Sequence, residues 1–384
     1  MSTDTPTPEA WFELAPFAVT ATCGQARCGT LTLAHGVVET PIFMPVGTAG
    51  TVKGLTPAQL GDIGVEILLG NTYHLFLRPG LEVLSAHGGL HGMMGWPRPI
   101  LTDSGGYQVF SLKELRKITE EGVTFQNHID GSRHLFTPEN VIQTQEVIGS
   151  DIMMAFDECP PMTAGRDYMV RSMERTSRWA ARCLEARTRP DCALFGITQG
   201  GVDLDLRASH IEELSVMPFD GFAIGGLSVG EAKEKMYETV EFAAPRLPAD
   251  RPRYLMGVGT PQDLVECVSR GVDMFDCVLP TRNGRNGQLF TRNGRMSIKQ
   301  VRYRLDLDPV DPQCGCYTCR NFSRAYLRHL YVAGEMLAGE LATLHNVHYY
   351  LDLVRELRVA IRAGTLDAFV ASCREGWARS ERGA

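Results

Sequence analysis

Short apolar runs recur along the chain, each ending in glycine or polar residues, and eight of them read as buried parallel strands: residues 42–46, 65–69, 99–101, 152–156, 193–197, 221–224, 254–258 and 274–279. Between most of them the apolar positions take a helical period, as over residues 166–187 and 229–242, long enough for a crossover helix. Eight strand-then-helix units predict an α/β fold of the (β/α)8 TIM-barrel type. In such a barrel the residues at or just past each strand's C-terminal end line the functional face. Those ends read Asn71; Asp103, Ser104, Gly105, Gly106 and Tyr107; Asp157 and Glu158; Gln199, Gly200 and Gly201; Gly225 and Gly226; Gly257; and Asp276. Carboxylates, amides and glycines would converge at one mouth.

Three segments depart from a bare barrel. Residues 17–40 alternate between glycine breaks and predict an N-terminal antiparallel β cap over one barrel end. Residues 123–136 alternate around Asp130-Gly131, a hairpin signal. After the last strand, residues 287–299 predict a second hairpin turning at Asn293-Gly294, then an insertion over residues 300–350 that carries a cysteine cluster, and residues 341–363 have the period of a closing helix. The pentapeptide Thr-Arg-Asn-Gly-Arg occurs at 281–285 and again at 291–295, too short a repeat to be architectural. The expectation is one barrel domain over residues 1–384 that includes cap and insertion.

Composition changes this picture in a few places. With 44% hydrophobic and 22% charged residues the chain is neither disordered nor collagen-like, and no apolar run approaches the roughly 18 residues needed to cross a bilayer. Residues 1–10 are polar, acidic and proline-bearing, unlike a secretory leader, so a cytoplasmic protein without a membrane partner is expected. The 11 cysteines, an odd number scattered over a long chain, point to thiols or metal ligands rather than a disulfide framework. A formal net charge of -7 advertises no nucleic acid overall, so any such site must be a local patch. Residues 282–304 hold seven Lys and Arg and no Asp or Glu. A solvated basic hairpin is the plainer explanation; a phosphate-binding patch beside the last strand end explains why the excess is confined there.

Cys314, Cys316 and Cys319, followed by a histidine-bearing helix, supply the thiolate and imidazole ligands of a tetrahedral zinc site. Buried thiols are the alternative, but Gly315 and the polar Tyr317-Thr318 between them suit a metal knuckle better than a core. By position alone His329, His345 or His348 could be the fourth ligand. A closed Cys3His set leaves no open position, so the expected role is one structural Zn2+ per chain. The strand-end aspartates, taken singly, could be helix N-caps. As a set they say more: Asp276 stands inside an apolar strand, where an unpaired charge is costly, and Asp103 precedes a Ser-Gly-Gly run that lets backbone approach a ligand closely. Tyr107 beside it offers a flat stacking surface, so a planar ligand is the natural expectation.

These residues resemble the bacterial tRNA-guanine transglycosylases (queuine tRNA-ribosyltransferases). The resemblance covers nearly the whole chain and rests on Asp103-Ser-Gly-Gly-Tyr-Gln, Phe156-Asp-Glu-Cys-Pro-Pro, Gln199-Gly-Gly, Gly225-Gly-Leu-Ser-Val-Gly-Glu, Tyr254-Leu-Met-Gly-Val-Gly-Thr, Met274-Phe-Asp-Cys-Val-Leu-Pro-Thr-Arg-Asn-Gly-Arg and the C-x-C-x2-C cluster. It implies a zinc-bearing (β/α)8 barrel with His345 as fourth ligand, and exchange of guanine at the wobble position of a tRNA anticodon stem-loop for a 7-deazaguanine base. It makes Asp276 the nucleophile on ribose C1′ and Asp103 the general acid/base, a double displacement in which a base rather than water resolves the intermediate. It assigns Asp157, Gln199 and the Gly226 N–H to the purine edge, with Ser104, Gly105 and Gly106 in the same pocket and Tyr107 and Met256 stacking on the ring. For Met256 alone, core packing would be the better explanation. Cys159 and Val229 match positions where bacterial members suit the small aminomethyl-deazaguanine.

The resemblance further implies RNA contacts from Thr281, Arg282, Asn283, Gly284 and Arg285 and from Gly257, Val258, Gly259, Thr260, Pro261, Gln262 and Asp263, and a homodimer. A glycosidase or nucleoside hydrolase would need the paired carboxylates but neither the basic stretch nor the cysteine cluster. An inactive RNA-binding subunit would lack the nucleophile, and an archaeal-type enzyme would carry further C-terminal domains. His74, His128 and Asp273 are left as packing or surface residues.

Overall fold

A computed structural model describes residues 16–111 and 116–382, so residues 1–10, on which the expectation of an unexported protein rests, lie outside the described residues. Eight parallel strands close into a barrel in chain order: Ile42–Gly47, Leu68–Gly70, Ile100–Thr102, Ile152–Met154, Ala193–Thr198, Gly221–Ile224, Arg253–Leu255 and Met274–Cys277, the eighth pairing with the first. Each falls on an expected run, with helices between. The seventh stops at Leu255 rather than at 258 because Gly257 takes a left-handed φ of 71° and leaves the ladder. The eighth stops at Cys277 because a helix, Leu279–Arg285, begins at once with Pro280 in its first turn.

The period of two sorts these strands' side chains. Ile42, Met44, Leu101, Phe195, Ile197 and Met274 fill the barrel interior, while their neighbours Phe43, Leu194, Phe222 and Phe275 pack outward toward the helices. Leu31, Leu33 and Val38 plug the interior from below. They belong to the expected antiparallel cap, three strands at Phe17–Cys23, Ala26–Leu33 and Gly36–Thr40. The cap is anchored by an ion pair: Arg27 donates to both oxygens of Asp273, Nε at 2.9 Å and Nη2 at 2.6 Å, with both residues buried. Asp273 immediately precedes the eighth strand, so the cap covers the barrel end opposite the strand C-termini.

Three expectations need correction in detail. The 123–136 hairpin is part of a three-stranded sheet, Arg116–Ile118, Val123–Gln126 and Arg133–Phe136. The second hairpin pairs Gln288–Thr291 with Gly294–Ser297, so Arg292 and Asn293 make the turn. The closing helix runs Met336–Ala363 and starts before residue 341, where exposed Met336 and the intervening Gly339 obscure its period; an unexpected helix, Leu366–Arg382, follows it. Among the described residues no helix is long and apolar enough to cross a membrane.

Candidate functional site

The strand pleat builds the site. Leu101, Ile197 and Met274 point into the barrel, so the residues two further on, Asp103, Gln199 and Asp276, point the same way at its mouth. Asp103 is held by four donors: Asn71 Nδ2 at 2.5 Å and Gln108 Nε2 at 3.0 Å on Oδ2, the N–H groups of Thr72 at 3.0 Å and Gly105 at 3.2 Å on Oδ1. Burial nevertheless dominates and, with the charge of nearby Asp276 acting in the same direction, lifts its pKa to about 7 against the pull of those bonds. Asp276, half-buried, receives Tyr254 O–H at 2.6 Å and Gly257 N–H at 2.7 Å, both on Oδ1. Neither of these donors occupies its Oδ2. Burial raises this carboxyl too.

A third carboxylate lies beside them. Asp157 accepts Ser104 Oγ–H at 3.0 Å and Gln199 Nε2–H at 2.7 Å, and burial lifts it to about 6. Gln199 Oε1 is buried without a partner among the described residues. A Cβ on Gly226 would stand 2.5 Å from that oxygen, and one on Gly106 would stand 2.8 Å from the Asp157 carbonyl. Both glycines therefore keep open a slot beside the Asp157 carboxylate and the Gln199 amide. Tyr107 stands 58% exposed at its rim, and Met256 is half-buried against the barrel interior. Cys159 and Val229 are half-buried.

Beside Asp276, Arg282 and Arg285 are exposed on the helix Leu279–Arg285 and, with Lys53, line a cleft of about 370 Å³. Thr281 and Gly284 are buried and Asn283 half-buried, because this face packs on the closing helix. The basic stretch is not uniform. Arg292 is half-buried and pairs with Glu356 at 2.5 Å, so it is a structural cation rather than part of an open patch. Of residues 257–263, Gly257 is exposed and Thr260 and Gln262 partly so; Val258, Gly259, Pro261 and Asp263 are buried, and Asp263 is engaged by Lys233 at 2.8 Å and Tyr237 at 2.6 Å.

Cys314, Cys316, Cys319 and His345 are buried and their ligand atoms lie within 4.8 Å of one another. A tetrahedral zinc, with bonds of about 2.3 Å to sulfur and about 2.0 Å to nitrogen, separates S from N by about 3.5 Å. Here His345 Nδ1 lies 3.7, 3.5 and 3.3 Å from the three sulfurs, so the set fits one metal ion. His345 Nε2–H donates to the Phe290 carbonyl at 2.7 Å, which leaves Nδ1 as the ligand. His348 approaches Cys314 alone, at 3.6 Å, and faces Asp352 at 3.2 Å; it stands outside the cluster. A second group, His35, His91 and Asp151, is also close-set. Its imidazoles are stacked 3.7 Å apart at 18°, so their lone pairs run side by side instead of converging, and they serve as hydrogen-bond donors to Asp151.

Comparison with known proteins decides the family. The model of the family described as queuine tRNA-ribosyltransferase matches residues 22–379. The chain is 57% identical over 360 residues to the queuine tRNA-ribosyltransferase of Azoarcus sp. (strain BH72), covering 93% of this chain and 97% of that protein. It is 58% identical over 350 residues to that of Solidesulfovibrio magneticus, covering 91% and 94%, and 58% identical over 346 residues to that of Caldanaerobacter subterraneus subsp. tengcongensis, covering 90% and 92%. The chain belongs to the queuine tRNA-ribosyltransferase family. It is accordingly a pentosyltransferase of the tRNA-guanine transglycosylase class, on a TIM barrel with a Cys3His metal centre.

Four residues around this mouth were not expected from the sequence. Gln108 and Tyr254 stand inside quoted motifs, yet nothing in their spacing says that they touch Asp103 and Asp276. Tyr254 has a weak signal: it shares strand parity with Met256, so its hydroxyl points into the barrel. Arg207 and His210 lie on the helix Leu204–Ser215 with no motif around them, although an arginine on a buried helix face is itself anomalous. His74 and His128 are linked through Tyr73, whose hydroxyl lies 2.9 Å from His128 Nδ1.

Proposed function

We propose that the chain exchanges guanine at the wobble position of tRNAs with GUN anticodons for 7-aminomethyl-7-deazaguanine, through a covalent ribosyl-aspartyl intermediate, in queuosine biosynthesis. The observation that carries this reading is the pair Asp276 and Asp103 at one barrel mouth, one carboxylate oriented through Oδ1, the other lifted to about 7. Asp276 Oδ2 attacks ribose C1′ as the C1′–N9 bond breaks, and Asp103, holding its proton near neutral pH, delivers it to the departing guanine. The incoming base then loses its N9 proton to the Asp103 carboxylate, N9 attacks C1′, and the ester to Asp276 breaks. Water must stay out until that second base binds, which a tight slot achieves.

Asp157 accepts from the purine N–H edge, the Gln199 Nε2 hydrogen not given to Asp157 and the Gly226 N–H take the carbonyl side, and Ser104, Gly105 and Gly106 shape the slot. Tyr107 and Met256 hold the ring from either face. Arg282 and Arg285, with Thr281, Asn283 and Gly284, and the 257–263 turn contact the anticodon loop, whose wobble nucleotide must leave its stack. The four metal ligands hold a structural Zn2+, a closed site with no catalytic step. The same reading makes residues 1–384 one catalytic domain, working in the cytoplasm as a homodimer.

The test is incorporation of labelled guanine into an anticodon stem-loop with a UGU loop, beside the same loop with its central G replaced by A. Label should enter only the first, and Asp276→Asn should lower the rate by at least about 10³-fold while RNA binding persists. Release of free guanine without incorporation would make the chain a hydrolase, and near-normal exchange by Asp276→Asn would remove the nucleophile assignment.

A further inference from the structure

Arg207 is fully buried, and its named partners are carbonyl oxygens. Nη1 donates to Thr198 at 2.9 Å, and Nη2 to Gly201 at 2.6 Å and Gly225 at 3.0 Å; Nε has no partner among the described residues. A guanidinium buried without a carboxylate is costly to keep. Its three acceptors come from the end of the fifth strand, the glycine turn after it and the end of the sixth strand. His210, one helical turn further on and also fully buried, accepts the Gln199 N–H at Nδ1, 2.7 Å away.

The two side chains thus hold opposite ends of one peptide unit, the Thr198 carbonyl and the Gln199 N–H, immediately before the amide that lines the slot. The second clasp acts through the same rule. A trans peptide points its C=O and N–H in opposite directions, so securing the Gly225 carbonyl on Arg207 turns the Gly226 N–H away from the helix, toward the Cys159 thiol. The slot side of this peptide is crowded by Gln199: a Cβ at Gly225 would stand 2.8 Å from its Nε2, and one at Gly226 2.5 Å from its Oε1. Without Arg207 this peptide keeps only the bond from the Gly226 N–H to the Cys159 thiol, a weak acceptor, and the Gly225 carbonyl is freed to turn into the slot, where it would accept rather than donate.

We propose that Arg207, assisted by His210, is a positioning residue that sets the polarity of the base slot, holding the Gly226 N–H inward so that the slot takes a purine bearing a carbonyl at position 6 and rejects one bearing an amino group. This rests on the assignment of Gln199 and Gly226 to the base edge. The experiment compares guanine with 2,6-diaminopurine, which keeps the 2-amino group and replaces the 6-carbonyl by an amine, as bases for exchange by the wild type, Arg207→Met and Arg207→Lys, with KM for the stem-loop measured alongside. In Arg207→Met the KM for guanine should rise and the preference for guanine fall, each by about tenfold or more, while the KM for RNA stays at its wild-type value; lysine should restore part of the preference.

A folded Arg207→Met enzyme with the wild-type preference, or one that loses only kcat, overturns the proposal. Should Arg207→Met not fold, Arg207→Lys and His210→Gln carry the test, and an unchanged preference in both overturns it. A wild type that does not distinguish the two bases would instead remove the assignment of the slot itself.

Discussion

At the scale of single residues, the site is a set of carboxylates kept in surroundings that resist their ionisation. Asp103 is the clearest case, because four hydrogen-bond donors fail to offset its burial. Its folded pKa of about 7 stands above the unfolded value of about 3.9, so the folded chain binds the extra proton between those values. The stability this proton contributes is complete below about pH 4 and is lost as pH rises through 7. Asp157, at about 6, adds the same sign over a lower window. We expect Tm to fall from pH 5 to pH 8, and Asp103→Asn to flatten that slope while lowering exchange by about 10²- to 10⁴-fold. Melting curves across that range are the check; an identical slope in the variant would mean that Asp103 ionises as an ordinary carboxylate. The same residues mark what could be read in advance. Asp103, Asp157, Gln199 and Asp276 were legible because strand ends of a barrel line its mouth by geometry, whereas Tyr254, 22 residues from Asp276, and Gln108, five from Asp103, were not, because they gain their partners only once the chain has folded.

Among the elements, the pentapeptide Thr-Arg-Asn-Gly-Arg shows how far local pattern reaches. At 281–285 it ends a helix; at 291–295 it makes a hairpin turn, with Gly294 at a φ of 98°. Asn-Gly is a turn signal in any sequence reading; at the second copy it marks a hairpin, displaced by one residue to Arg292-Asn293, and at the first it fails. The difference is tertiary. At the first copy Gly284 packs directly on the closing helix, where a Cβ would stand 2.9 Å from the Thr343 nitrogen and 3.0 Å from its Cα. Pro280 starts that helix and the neighbouring helix demands the glycine, so packing overrides propensity. Gly284→Ala should therefore push the two helices apart, cost about 1–3 kcal/mol and displace Arg282 and Arg285. Its signature is a raised KM for the stem-loop with an unchanged KM for the base. A variant as stable as wild type, with both constants intact, would show that the contact relaxes freely. The barrel strands needed no such help, since eight apolar runs with polar ends fit few other topologies.

Across the whole molecule, one helix joins parts that the sequence keeps apart. Met336–Ala363 carries His345 of the metal centre and, next to it, Asn346, whose Nδ2 donates to the carbonyls of Pro280 and Gln288, both at 3.0 Å, and whose Oδ1 accepts the Phe290 N–H at 3.0 Å. The Phe290 carbonyl in turn accepts from His345 Nε2 at 2.7 Å. Metal ligand, second hairpin and the helix bearing Arg282 and Arg285 are thus consecutive links, through which a metal at the Cys3His site would stabilise that helix without touching it. Metal binding and folding of the insertion are coupled, because the ligand set is assembled only in the folded chain. His345→Ala should lose bound metal and lower Tm by roughly 10 °C or more. The loss should also travel along the helix and raise the KM for the stem-loop more than the KM for the base, since the helix bonds the turns at Gly259 and Pro280 rather than Asp103, Asp157, Gln199 or Gly226. Metal content by elemental analysis and the two KM values separate the possibilities. Full metal occupancy in His345→Ala would move the fourth ligand to His348 or His329, and metal loss with both KM values unchanged would confine the centre's role to stability.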